Sequence, residues 1–550
     1  MVPYKPRRLS RRDFLGGALA LGAATAFSGC RRIGEAVGLF DRSIPGELLG
    51  PSKILGHKLR DGFSFPPPLS EERVPVVIVG GGAAGLSAGW KLLRSGMKDF
   101  VLLELEQKTG GNAAWGQNEV SAYPWGAHYL PVPSPEAGAV RELLTEMKVM
   151  LGVGKNGEGV WDELQLCQAP EERLYIAGEW QSGLYPRIGA APGDMAERDR
   201  FLKTMEAFRR RRGKDGRRAF CIPMEKSSRD ADLLALDAIS MEAWLQREGF
   251  TTPRLRWFVE YACRDDFGAS LAQTSAWAGI HYFAARPEGA ADLLLVWPEG
   301  NGHLVRHLAD QLGDRVRSNA MAYDVSPDGD SVRVDYLDAA TGRTRRIRAK
   351  RAVVAMPRFV ARHIVAPLRD DHRPSAFSYA PWMTANLTIE DPPEGRGSAP
   401  AWDNVIHDSE GLGYVDARHQ SISLDERRSV WTYYRPLIGD PDARRKEAYA
   451  RTHEEWRDIC LTDLEKGHPG LRRHVSRLDT WVWGHGMIMP KVGFLWASSD
   501  RRDAAKPHGP IHFAHSDLSG ISLFEEANYR GVYAAEAVMS ALGHPHRSSL

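Results

Sequence analysis

The sequence predicts an α/β protein. It opens on a Rossmann-type dinucleotide-binding unit. Two observations carry the prediction. The β-branched run Val76-Val77-Ile78-Val79 enters Gly80-x-Gly82-x-x-Gly85 and leaves through good helix formers, which reads as strand, tight turn and helix. A second apolar run, Phe100-Val101-Leu102-Leu103, ends on Glu104, roughly 20 residues on, where a ribose hydroxyl needs an acceptor.

Each glycine of the turn has its own task. Gly80 permits the turn, Gly82 lets a pyrophosphate approach the backbone, and Gly85 lets the helix pack closely on the strand. The helix opens on Ala83 and Ala84, and its free N–H groups and positive dipole end face the phosphates. An acidic residue at Glu104 disfavours a 2′-phosphate on the ribose.

The chain has 550 residues, ample for two domains and a large core. Its 72 Lys and Arg nearly cancel its 70 Asp and Glu, which argues against a nucleic-acid partner. The N-terminus reads as a targeting segment. Lys5, Arg7, Arg8, Arg11 and Arg12 precede a short apolar, Ala/Gly-rich stretch from Phe14 to Phe27, too short to span a bilayer comfortably. Ser10-Arg11-Arg12-Asp13-Phe14-Leu15 matches the bacterial twin-arginine signal, so the translocase of that route is an expected partner. Phe27-Ser28-Gly29-Cys30 resembles a lipoprotein signal-peptidase site, in which Cys30 becomes lipidated and tethers the protein to a membrane surface. The expected location is periplasmic, free or membrane-anchored. Residues 1–30 are therefore read as signal and 31–72 as a linker, the latter for its weak periodicity and its Pro66-Pro67-Pro68 run. Cys167, Cys221, Cys263 and Cys460 lie far apart and show no metal-ligand spacing.

After Glu104 come Gly110-Gly111-Asn112. Together with the opening turn, these residues resemble the fingerprint of the flavin amine oxidase, carotenoid desaturase and protoporphyrinogen oxidase superfamily. There the Gly-Gly pair passes an FAD and Arg usually follows; Asn112 departs from that Arg. Gly126-Ala127-His128 resembles the superfamily segment that runs past the flavin ring, which makes His128 the candidate for a catalytic role at the flavin edge. The 352–357 stretch resembles the buried strand ending in Ala-x-Pro beside the cofactor and places Ala355 there. Near the end, residues 511–531 resemble the family's closing segment, with Asp517 implied at the ribityl or pyrophosphate part. Ser522-x-x-Glu525 is a capping-box pattern. It starts a helix whose N-terminus, at Ser522 and Leu523, can stabilise negative charge on reduced flavin. Glu526 stands where the family usually has Gly.

The resemblance implies a discontinuous Rossmann-type FAD-binding domain built from 73–116, 290–365 and 495–545, and an α+β substrate or cap domain, with a mixed sheet plus helices, from 117–289 and 366–494. Helices are expected at 136–150, 198–212, 240–248 and 253–261, and substrate-domain strands at 378–390, 430–434 and 478–483. The basic run Arg209-Arg210-Arg211-Arg212 is read as a solvated helix face. The resemblance further implies noncovalent FAD, a small-molecule substrate giving hydride to the flavin, and dioxygen, a quinone or a redox protein as electron acceptor. Two features count against a typical primary-amine or polyamine oxidase. No Lys occurs in 381–389, and Leu523 stands where those enzymes tend to carry an aromatic residue. An amine or polyamine oxidase remains one alternative, and a non-catalytic lipid- or ligand-binding protein of the same fold another.

Overall fold

The computed structural model describes residues 44–155, 157–286, 293–369, 375–421 and 427–550. The export signal, Cys30 and the first part of the expected linker lie outside the described residues.

Along the chain, β1 (Leu48–Leu49) and α1 (Lys53–Arg60) lead into β2 (Glu71–Val79), α2 (Ala83–Arg94) and β3 (Phe100–Leu103). The intervening region supplies β4 (Glu172–Ile176), β5 (Glu179–Ser182), α3 (Pro192–Arg210), α4 (Pro253–Phe267) and α5 (Ala276–Ala284). Then come α6 (Gly302–Leu312), β6 (Val316–Arg317), β7 (Ala320–Asp328), β8 (Ser331–Asp338), β9 (Arg343–Val354) and α7 (Arg358–Ile364). The last part holds β10 (Tyr379–Glu390), β11 (Asp403–Ile406), β12 (Gly413–Asp416), β13 (Arg428–Pro436), β14 (Val475–Ile488), β15 (Ile511–Phe513) and α8 (Phe524–Ala541).

Two large sheets organise these elements. The first has the order β6-β3-β2-β9-β8-β7, with β15 pairing β9. Its β6, β3, β2, β9 and β15 are parallel. Val76 to Val79 are buried, as the continuous β-branched run requires of a parallel strand covered on both faces. α2 packs on α8 and α6, so the opening and closing motifs of the chain are neighbours. The second sheet runs β1-β14-β10-β13-β12-β11-β4-β5. Its central strand β10 is buried from Tyr379 to Ile389, between the cluster that includes Tyr434 and Trp483 and the cluster around Met383 and Trp456.

The expected linker is corrected from Ile44 onward. Leu48 and Leu49 pair in parallel with Thr480 and Trp481, Leu478 donates to Pro45 O, and β2 begins at Glu71. An extended apolar pair gains its place by covering a sheet edge, which composition does not reveal. The helix expected at 253–261 continues to Phe267 and stops at Gly268, whose φ of +59° closes the last turn. The basic run is locally satisfied: Arg209 and Arg210 pair with Glu206, Arg211 pairs with Asp232, and Arg212 donates to Gly216 O.

Candidate functional site

The site is built outward from the turn between β2 and α2. Gly80 has φ +109°, and a Cβ there would lie 2.5 Å from Ala355 O. At Gly85 a Cβ would lie 1.9 Å from Gly80 O. Both positions are closed to any side chain, because β2, α2 and the end of β9 converge there. Gly82 differs: the nearest atom to a Cβ is Gly111 Cα at 3.8 Å. The free N–H groups of the first turn of α2, at Ala83 and Ala84, therefore face a surface with no side chain at its centre.

Glu104 closes one side of this cradle. Its carboxylate accepts from Gly81 N at 2.6 Å and from Glu106 N at 2.8 Å. Burial pushes its pKa up to about 7, against the opposing pull of those N–H donors. Gly110 donates to Gly81 O at 2.9 Å, so the Gly110-Gly111 segment lies directly along the turn. A helix N-terminus stripped of side chains beside a buried carboxylate fits a dinucleotide's pyrophosphate and ribose.

Asn112 takes a different direction from the Arg it replaces. Its amide donates to Gly486 O on β14, and its own carbonyl accepts from Ala127 N at 2.9 Å. A Cβ on Gly126 would lie 2.2 Å from that carbonyl. Asn112 thus ties the cradle to the second sheet and to the Gly126-Ala127-His128 segment. Tyr434 reaches the same segment, donating from its hydroxyl to Gly126 O at 2.9 Å while His128 stacks on its ring at 4.4 Å. Burial pushes the His128 imidazole down to about 4, so near neutral pH the ring carries no charge.

Behind this aromatic pair stand three carboxylates whose role the sequence did not disclose. Asp265 and Asp266 lie on the last turn of α4, and Asp403 opens β11. Asp265 and Asp266 keep some accessible surface, yet protein surrounds them and burial pushes each up to about 7. That combination marks side chains facing an interior recess. For Asp266 the negative charge of Asp265 adds to the rise. Burial also holds Asp403 well above the usual carboxylate range, with Asp265 adding to it; Tyr261 donates to Asp403 at 3.4 Å. The walls are aromatic. The phenols of Tyr129 and Tyr434 are raised by burial and then by the field of Asp265, and Trp402 lies 5.7 Å from His128 and 5.8 Å from Tyr129. A signal was present in the sequence: adjacent acids continuing an aromatic helix after Cys263.

The closing motif is used differently from the expectation. Asp517 is buried and engaged within the protein: Tyr379 donates to it at 2.5 Å, Arg358 N at 2.9 Å, and His515 pairs with it at 2.9 Å. These partners lock α7 and β10 to the segment after β15 and hold the Asp517 carboxylate in one orientation. The capping box also does not form. α8 starts at Phe524 with Leu523 at its N-cap and no side-chain cap. The Ser522 hydroxyl instead accepts from Ile488 N at 3.0 Å, and Glu525 pairs with Arg286 at 3.1 Å. Glu526 reaches across to accept from Met224 N at 2.6 Å. Arg435 and Tyr434 point to opposite faces of β13, and Arg435 pairs with Glu410 away from the recess. His485 stacks on Phe359 at 3.9 Å.

Comparison with known proteins gives this arrangement its context. Residues 83–539 match the family model described as flavin containing amine oxidoreductase. A tryptophan 2-monooxygenase of Pantoea agglomerans pv. gypsophilae is 30% identical over 150 residues, 26% of this chain and 24% of that protein. The matched stretch thus spans about a quarter of that relative's length. A putrescine oxidase solved with putrescine bound superposes with TM-score 0.62 at 17% identity, over 86% of this chain and 100% of that one. The cyclohexylamine oxidase of Brevibacterium oxydans IH-35A gives 0.60 at 16% identity, over 86% and 99%. At these identities the structural likeness speaks to the fold.

Proposed function

The chain belongs to the flavin containing amine oxidoreductases, and from that premise we propose that it oxidises a cationic amine held in the Asp265–Asp266–Asp403 recess. It is an FAD-dependent oxidoreductase. When bound, FAD supplies the hydride acceptor and passes the electrons onward.

The residues divide the remaining work. The first turn of α2 and Glu104 hold the dinucleotide, with Gly110-Gly111 alongside and Gly82 leaving room for it. Tyr434 fixes the Gly126 carbonyl, and neutral His128 and Trp402 form aromatic walls that exclude water. The observation that carries the substrate class is the enclosed carboxylates behind those walls. Burying carboxylates is costly, and a bound ammonium offsets that cost beyond what Tyr261 gives Asp403 and the charge of Arg286 gives Asp266. An amine enters as ammonium and must lose a proton before its C–H bond can give up hydride. A carboxyl at about 7, as at Asp265 and Asp266, is suited to receive that proton near neutral pH. Aromatic faces add cation–π attraction.

This reading outweighs the missing Lys in 381–389 and the Leu523 substitution, because it rests on side chains placed in the recess. We further propose that the protein is exported by the twin-arginine route and tethered through Cys30, with dioxygen or a quinone or redox protein as acceptor. The test of the substrate class is a turnover panel pairing primary and secondary amines with their N-acetyl amides. Turnover confined to amines supports the reading; equal or better turnover of the amides contradicts it.

A further inference from the structure

We propose that the face formed by α1 and Phe63 is a docking surface for an anionic lipid bilayer. α1 lays Leu59 against the core of the first sheet, but no residue of the helix is buried. Ile54 is 78% exposed and Phe63 is 50% exposed. Ile54 and Lys58 lie one turn apart on one side of the helix. Phe63 N donates to Lys58 O at 3.0 Å, and the Lys58 ammonium sits 4.9 Å from the Phe63 ring centre. Phe63 is held in place by an edge contact with Phe65 at 5.0 Å, and Phe65 stacks on Tyr323 at 4.2 Å. Two large apolar side chains therefore flank a lysine in a fixed arrangement.

The charge on this face is predominantly positive. Lys53 lies over the Tyr449 ring at 4.7 Å. Lys58 and Arg60 follow on the helix, and Arg362 and His363 face it from α7, whose His363 feels both Arg362 and Arg60. The acids nearby are Asp61, paired with Arg60 at 2.6 Å, and Glu106, which accepts from Ser52. Exposed Ile and Phe set among lysines and arginines are the composition of an interfacial anchor, not of a purely aqueous surface. The basic run of α3 offers no rival patch, since its arginines are paired or donate locally.

The sequence outside the described residues argues for a membrane as the occupant. Residues 1–43 carry Cys30, the expected attachment point of a lipid once the signal before it is removed. The chain from Cys30 to Ile44 spans at most on the order of 50 Å when extended. A bilayer that holds this segment is thus within a domain's breadth of α1. Docking through α1 and Phe63 would turn the tethered body to one fixed orientation.

The test uses the flavin-loaded processed chain, from residue 30 onward, with Cys30→Ser, so that neither an acyl chain nor the signal segment contributes. Spin labels are placed through Ile54→Cys and Phe63→Cys, with Leu164→Cys, at a position 78% exposed, as reference. Cys167→Ser is added in every sample, because Cys221, Cys263 and Cys460 are buried and Cys167 is not. Phosphatidylcholine vesicles containing about a third phosphatidylglycerol should raise oxygen accessibility relative to a water-soluble nickel complex severalfold at the first two positions. The label at 164 should stay aqueous. Separately, Ile54→Asp with Phe63→Asp should lower partition to the same vesicles about tenfold without loss of flavin. Labels at 54 and 63 that remain as aqueous as the one at 164 would overturn the proposal, as would unchanged partition of the double variant or equal binding to pure phosphatidylcholine.

Discussion

Replacing Asp266 by Asn should stabilise the protein, and increasingly so as the pH rises. In the native recess the Asp266 carboxyl moves from 3.8 to about 7, first through burial and then through the charge of Asp265. A carboxyl raised by folding makes the native state bind more protons than the unfolded one between those values. Its contribution to stability is therefore fully present below about 4 and is lost as the pH rises through about 7. A displacement of that size corresponds to about 4 kcal/mol at alkaline pH, an upper figure because the recess retains some solvent contact. Unfolding a chain of 550 residues gains about 1.2 kcal/mol per kelvin of entropy, so the expected gain is roughly 3 °C in Tm. Scanning calorimetry of equally flavin-loaded samples should show Asp266→Asn ahead of wild type by roughly 3 °C near pH 9, by about 1.5 °C near pH 5 and by under about 1 °C near pH 4. The same substitution should raise the amine KM about tenfold or more by removing a charge-assisted contact. A Tm difference independent of pH, or a loss at alkaline pH, would refute the burial argument.

Four other outcomes follow, two from the geometry of the glycine turn and two from the sequence. Gly82→Glu should fold yet purify without FAD, because a Cβ there has room within the protein while a carboxylate repels pyrophosphate; a normal flavin spectrum would assign the turn elsewhere. Gly85→Ala, by contrast, should lower Tm even without cofactor, since its Cβ would lie 1.9 Å from Gly80 O. The FAD should be released into the supernatant by acid precipitation, and a yellow pellet would show a covalent link. Arg11→Lys together with Arg12→Lys should leave the protein in the cytoplasm, as cell fractionation would show; unchanged export would reject the twin-arginine route.

The cofactor end of the molecule was legible because backbone demands leave local marks. Gly80 and Gly85 are glycine for reasons of sterics within one turn, and Glu104 ends the next strand. The recess was not legible because its members come from distant elements, with Tyr129, Asp265, Asp403 and Tyr434 joined only by packing. Asp265 and Asp266 were also obscured by the reading of α4 as ending at Tyr261, since polar residues after an apolar run resemble a helix exit. At the closing motif the local pattern misled. The Ser522 hydroxyl that would cap α8 is taken by Ile488 N from the other sheet, a long-range partner outcompeting the local one. The twelve-residue strand β10, buried from Tyr379 to Ile389, shows the converse: its β-period pattern identified the element, and its buried Thr384 and Asn386 donate to Trp125 O and Pro124 O without disturbing the ladder.

The most direct test of the account is an anaerobic titration of the purified, FAD-loaded protein, read in the visible flavin band. A cationic amine should bleach the flavin with one equivalent of substrate per flavin, and Asp265→Asn with Asp266→Asn should shift the required amine concentration upward about tenfold or more while leaving the spectrum of the oxidised enzyme unchanged. Bleaching by neutral substrates in preference to amines, or an amine titration indifferent to both aspartates, would contradict it.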